Sequence, residues 1–160
     1  MRAQEFIIEL KIDNTQGLGA VPWNNNVDYQ GLRVLMKPST FLRLSLPLNL
    51  TANDHSTIDY IANELNTQGI GAPFLQIEIP EAWEKEQYVN MARVVGHDGR
   101  HRMLAIQAKE GDKPVEVHLF PRYYRHRDFV QHPEWVEYMD NALISQTGTP
   151  VNGPLFTVIK

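Results

Sequence analysis

Seven consecutive residues, Gly96-His97-Asp98-Gly99-Arg100-His101-Arg102, place two imidazoles, two guanidinium groups and a carboxylate between the apolar pair Val94-Val95 and the apolar run Met103-Leu104-Ala105-Ile106. The pattern predicts a strand, a tight turn and then a helix, with Asp98 as N-cap and the amides of Gly99, Arg100 and His101 free at the helix start. Unpaired donors and the helix dipole attract an anion there, and Arg100 or Arg102 adds a planar fork that matches phosphate oxygens. Two cations in a first turn also oppose the dipole unless an anion is present. A phosphate site is the functional expectation, with Arg100 and Arg102 neutralising charge and His97, Asp98 and His101 as candidates for proton transfer or for orienting an attacking oxygen. The structural alternative is that glycine and aspartate shape the turn and the arginines are solvated.

His97 and His101 stand four apart, but the turn separates them, so helical metal-ligand spacing does not apply and no protein-held transition metal is expected. A magnesium ion carried mainly by the phosphates of a nucleoside triphosphate, with Asp98 beside it, is the cofactor the motif could accept. A second cluster, Arg122-Tyr123-Tyr124-Arg125-His126-Arg127, interleaves cations and aromatics. Tyr123 and Tyr124 could stack on bases while Arg125 and Arg127 follow phosphates of single-stranded nucleic acid. The alternative packs the tyrosines on the core and pairs the arginines with Asp128, Glu134 or Glu137. His55, His118 and His132 are expected at the surface or at caps.

The positioning elements follow from periodicity and punctuation. Phe6 to Ile12 alternates from Ile8 onward as a half-exposed strand, and a long Gly/Asn-rich loop follows, with Trp23 and Tyr29 as possible stacking surfaces. Leu32 to Met36 is a second strand, and Pro38 opens a short helical or irregular segment ending near Pro47. Ser56, with Asp59 three residues on, is expected to cap a helix presenting Ile58, Ile61, Ala62 and Leu65 on one face, stopped by Gly69 and Gly71. Strands are expected at Phe74 to Ile79, Arg93 to Val95, Val115 to Leu119 and Leu155 to Ile159. Residues 81–90 read as a polar, acidic surface helix turn or hairpin connection, residues 99–110 as a buried helix closed by Gly111, and Pro133 as the start of an amphipathic helix with the stripe Trp135, Tyr138, Met139, Ala142 and Leu143. The order predicts an α+β fold, a small mixed sheet with packed helices.

The 160 residues are the size of one domain, 1–160, and 42% are hydrophobic, enough for a real core. The absence of cysteine excludes disulfides, thiolate metal sites and thiol nucleophiles. No run is long enough to cross a bilayer and the first residues lack the apolar core of a signal peptide, so no membrane partner and a cytoplasmic location are expected. The net charge of −4 is uneven: residues 93–127 hold eight basic against four acidic groups, whereas residues 1–92 hold six against eleven. That excess suits a local anionic ligand and argues against a surface coated for non-specific duplex binding.

The order and spacing of these parts resemble the ParB/sulfiredoxin-like superfamily. The resemblance rests on Lys37-Pro38-Ser39-Thr40-Phe41-Leu42, on Ile70-Gly71-Ala72-Pro73-Phe74 running to Ile79, on Asp98-Gly99-Arg100-His101-Arg102 through Ala105, and on Pro114-Val115-Glu116-Val117. It covers about residues 32–121, leaving 122–160 as a C-terminal helix and strand extension, and the turn is similar to those of ParB-like proteins from phages and other mobile elements. It implies a nucleotide-binding core in which Gly99, His101 and Arg102 approach the phosphates and Lys37 lies nearby. Sulfiredoxins carry a cysteine where this chain has Arg100, so sulfinic acid reduction is chemically excluded. ParB carries a metal-associated glutamate there, and an arginine cannot ligate a metal.

Two classes of function follow. One is a ParB-like protein that binds a nucleotide or nucleic acid at the Gly99 turn, as a nucleotidase, phosphotransferase or nuclease. The other is a non-catalytic regulator or defence antagonist on the same fold, binding DNA or a host protein.

Overall fold

Proline and glycine punctuate the chain into short elements that share one sheet. A computed structural model describes residues 10–14, 16–19, 31–65 and 67–160. The strands are β1 (Leu32–Met36), β2 (Phe74–Glu78), β3 (Arg93–Asp98), β4 (Val115–Pro121), β5 (Ala142–Ile144), β6 (Pro150–Asn152) and β7 (Thr157–Val158). Their order across the sheet is β6-β5-β3-β2-β4-β1-β7. Most neighbours are antiparallel, while β2 with β4 and β3 with β5 are parallel, so the sheet is mixed as expected. The helices are α1 (Pro38–Leu44), α2 (Ala52–Glu64), α3 (Arg100–Glu110) and α4 (Pro133–Asn141), with α1 and α2 packed on α3.

The apolar periodicity decides which faces are buried. In β1, Leu32, Val34 and Met36 are buried while Arg33 and Leu35 face out, the period of two of a half-covered strand. Met103, Ala105 and Ile106 bury one side of α3, and Leu75 and Ile77 anchor β2 in the same core. Strands β5, β6 and β7, all beyond residue 121, extend this sheet at both edges, so the C-terminal forty residues are part of one structural unit with the rest.

Several local expectations are corrected. Helix α2 begins at Thr51, not Ser56: the Thr51 hydroxyl accepts from the Asp54 amide and the Asp54 carboxylate accepts from the Thr51 amide, a reciprocal capping box. The hydroxyl of Ser56 instead donates to the Ala52 carbonyl inside the helix. Helix α4 stops at Asn141, because Ala142 turns extended and the next residues pair with β6 and β3. The stripe expected through Ala142 and Leu143 is therefore split between helix and strand, tertiary pairing overriding helical period. The last strand shortens to Thr157–Val158, since the amides of Leu155 and Phe156 are taken by the Asp140 carboxylate. The 81–90 segment does hold a helix turn, of 3-10 type, but not wholly at the surface: its Trp83 is fully buried and donates through its indole N–H to the Asn90 carbonyl. Of the N-terminal strand, Ile12 bridges Ile70, whereas Ile8, Trp23 and Tyr29 lie outside the described residues. Among the described residues, no helix is long and apolar enough to cross a membrane.

His118 is buried rather than a surface residue. Its Nε2 lies 2.7 Å from Glu116, which also pairs with Arg33 across the β1/β4 ladder at 2.9 Å. The hydrogen bond with His118, followed by Arg33, holds the Glu116 carboxyl at about 2 rather than 4.5. A depressed carboxyl contributes stability that is complete above its unfolded value and is lost as pH falls toward its folded one. Chemical denaturation between pH 5 and about 2 is expected to show an acid loss that Glu116→Gln reduces by on the order of 2 kcal/mol; an identical acid limb in that variant contradicts the assignment.

Candidate functional site

The turn between β3 and α3 has a geometry that glycine makes possible. Strand β3 runs through Asp98, and Gly99 takes the N-cap position with φ +110°, where a β-carbon would stand 2.7 Å from Pro73 Cβ. Asp98 is thus not the cap. Its carboxylate reaches four residues on to the guanidinium of Arg102, at 3.0 Å. Among the described residues, no side chain caps the start of α3 and its first turn carries no acidic residue, so the positive end of the dipole keeps open donors.

The three basic side chains of that turn go three ways. Arg102 points inward, its side chain only 4% exposed, and donates to the Gly71 carbonyl at 2.6 Å as well as to Asp98. Gly19, with φ +70°, lies so close that a β-carbon would stand 2.6 Å from Arg102 Nε. Burial works against the charge of Arg102, and Asp98 offsets part of that cost. Arg100 reaches instead to the 45–47 loop, where Nη1 donates to the carbonyls of Pro47 and Ser45. His101 Nε2 lies 2.8 Å from Asp54 Oδ1 in the α2 capping box.

Arg100, His101 and Asp54 line a cavity of about 90 Å³ closed by Leu48, Asn49 and Leu50. Pockets that enclose whole small molecules run from roughly 300 Å³ upward, so this void fits a single oxyanion group and leaves any sugar or base outside it. The Asp54 carboxyl is held at about 2, first by the Thr51 amide and then by His101, so it faces the cavity as a carboxylate. With Nε2–H donated to Asp54, neutral His101 carries its lone pair on Nδ1; when protonated it has a second N–H to offer.

The other sequence-predicted residues stand apart. His97 Nδ1 is 2.6 Å from Gln146 Oε1, and burial, then the charge of Arg100, lowers its proton affinity. Lys37 sits at the opposite end of α3, in a cleft with Thr40 and Pro114 and near Asp112. The structure therefore gathers Arg100 and His101 with the backbone of Gly99, and separates from them His97, Asp98, Arg102 and Lys37. Asp54 and the 48–50 loop were missed, although Thr51-x-x-Asp54 is a legible capping box. Asp98 directs one carboxylate oxygen to Arg102, and the Asp54 carboxylate is shared between His101 and Thr51.

In the Arg122–Arg127 cluster two of the three arginines pair with carboxylates, but not with the expected ones. Arg122 meets Glu78, and Arg125 meets Glu81 and Glu84. Both guanidinium groups also lie over the Tyr123 ring, at 5.3 and 4.8 Å. Tyr124 is exposed with Arg127 over its ring at 4.5 Å, and among the described residues Arg127 has no carboxylate partner. Comparison of the chain with protein-family models, curated proteins and solved structures gave no match.

The geometry separates construction from binding. Arg102→Ala is expected to lower unfolding free energy by roughly 2 to 4 kcal/mol, since it leaves the carbonyl of buried Gly71 unpaired beside a void and takes the cation from Asp98. Arg100→Ala, which loses a bond to the carbonyl of the exposed Pro47 and only a long 3.4 Å one to that of buried Ser45, is expected to change it by less than about 1 kcal/mol. Equal losses in urea titrations of the two variants would contradict this division.

Proposed function

We propose that this chain binds the phosphate of a nucleotide or nucleic acid at the first turn of α3. Arg100 and His101 are the side-chain contacts and the open amides of the turn are the backbone contacts. The observation that carries the reading is a cavity lined by Arg100 and His101, the first two residues of a helix whose start lacks, among the described residues, both a capping side chain and an acidic residue. An oxyanion there complements the dipole and gives the free edge of the Arg100 guanidinium a partner. The resemblance to ParB-like proteins supports the same turn. Arg102 and Asp98 hold the turn's shape without touching the ligand, and a magnesium ion arrives on the ligand's own phosphates.

The site also has the parts for phosphoester hydrolysis. Asp54 orients His101 as a carboxylate orients an imidazole in a proton-transfer pair, and Arg100 meets the charge that develops on phosphoryl oxygens. Phosphate release from nucleoside triphosphates and from single- and double-stranded DNA, with and without magnesium, distinguishes an enzyme from the non-catalytic alternative of a DNA- or host-protein-binding regulator. Tyr124 and Arg127 offer that alternative a stacking and phosphate contact.

Calorimetry with pyrophosphate and nucleoside triphosphates at low salt is expected to show binding that Arg100→Ala and His101→Ala each weaken by on the order of tenfold. Affinity unchanged in both alanine variants overturns the reading.

A further inference from the structure

Among the described residues the sheet ends at β7, with a cleft on each face. Strand β7 is the last in the order and, among the described residues, pairs with β1 alone, through Val34 with Val158 and Leu35 with Thr157. The amide of Ile159 donates to the Arg33 carbonyl. Successive residues of a strand direct their backbone groups to opposite sides, so the N–H and C=O of Val158 point away from β1. Among the described residues they meet no further strand.

On one face, a cleft of about 560 Å³ separates β7 from α4, walled by Leu32, Val136, Phe156 and the half-exposed Val130. On the other face, a cleft of about 250 Å³ lies between Leu35, Lys37, Pro114 and Leu155. Leu32 and Leu35 stand three apart on β1 and so point to opposite sides of the sheet. Open backbone groups with a recess above and below are what an added strand needs, since its alternate side chains enter the two recesses in turn.

The charges select the occupant. Glu137 and Asp140, one helical turn apart on α4, line the larger cleft. Asp140 is partly engaged by the amides of Leu155 and Phe156, whereas Glu137 has no ion-pair partner among the described residues. Lys160 is the one cation in that lining, and Lys37 lies in the other cleft. We infer that this edge docks an extended segment of a partner protein, added as a strand to β7, that places apolar residues and a basic side chain over α4. This surface is separate from the anion cavity at α3.

The test uses the full chain and two synthetic peptides, acetyl-Val-Leu-Arg-Leu-Val-amide and its counterpart with glutamate in place of arginine, followed by amide chemical shifts and fluorescence anisotropy. The arginine peptide is expected to bind saturably, with shifts confined to residues 157–160, the start of β1 and α4. Glu137→Arg is expected to weaken it by on the order of tenfold while strengthening the glutamate peptide. Val158→Pro removes the outward N–H while sparing the bonds to β1, and is expected to abolish binding. Equal binding of both peptides, binding of neither, shifts elsewhere, or full affinity in Val158→Pro overturns the proposal. So does concentration-dependent self-association that protects the same residues, which assigns the edge to a second copy of the chain.

Discussion

The guanidinium of Arg102, buried against the Gly71 carbonyl and Asp98, is the constraint on which the region around the turn depends. An arginine in the interior must be paired or it destabilises the fold. One of its partners is backbone from the approach to β2 and the other is the last residue of β3, so a single side chain ties the start of α3 to two strands. Gly19 and Gly99 leave the space that the guanidinium fills, and Pro73 closes the other side of the turn. With Arg102 fixed inward, helical geometry sends its two predecessors elsewhere. Arg100 turns to the 45–47 loop and His101 to the cap of α2.

The capping box of α2 then has two roles in one carboxylate. Asp54 uses Oδ2 to stop its helix from fraying, through the amide and hydroxyl of Thr51, and uses Oδ1 to orient His101. The local stability of one helix start is thereby coupled to the orientation of a side chain at another. The cavity between them is small because it lies where helix ends and a short loop converge, and that size suits an oxyanion group.

Much of the architecture was legible because apolar period and punctuation agree. Leu32 to Met36, Phe74 to Glu78 and the helix after Gly99 fall close to where periodicity put them. What escaped depends on partners far along the chain. Nothing in the spacing of Ala142 and Leu143 says that they leave a helical stripe to join β5, because the pairing that draws them is with β6 and β3. Trp83 sits in an acidic segment whose local composition says surface, while its indole is core. At the candidate site, residue types marked the turn before α3 but not the direction of each side chain. Two arginines two positions apart look equivalent in a sequence, and only the burial of one assigns them different work. The carboxylates that meet Arg122 and Arg125 come from residues 78–84, because the 3-10 turn after β2 lies beside the segment that follows β4.

If Arg102 builds the turn while Arg100 and His101 receive an anion, an oxyanion must enter without displacing Arg102. Crystals soaked with tungstate, a heavy oxyanion with a strong anomalous signal, separate the two roles. An anomalous peak is expected within hydrogen-bond reach of the Arg100 guanidinium and His101, with Arg102 still on the Gly71 carbonyl. A peak held by Arg102 swung out of the interior, or ordered tungstate only at sites remote from this turn, would contradict it.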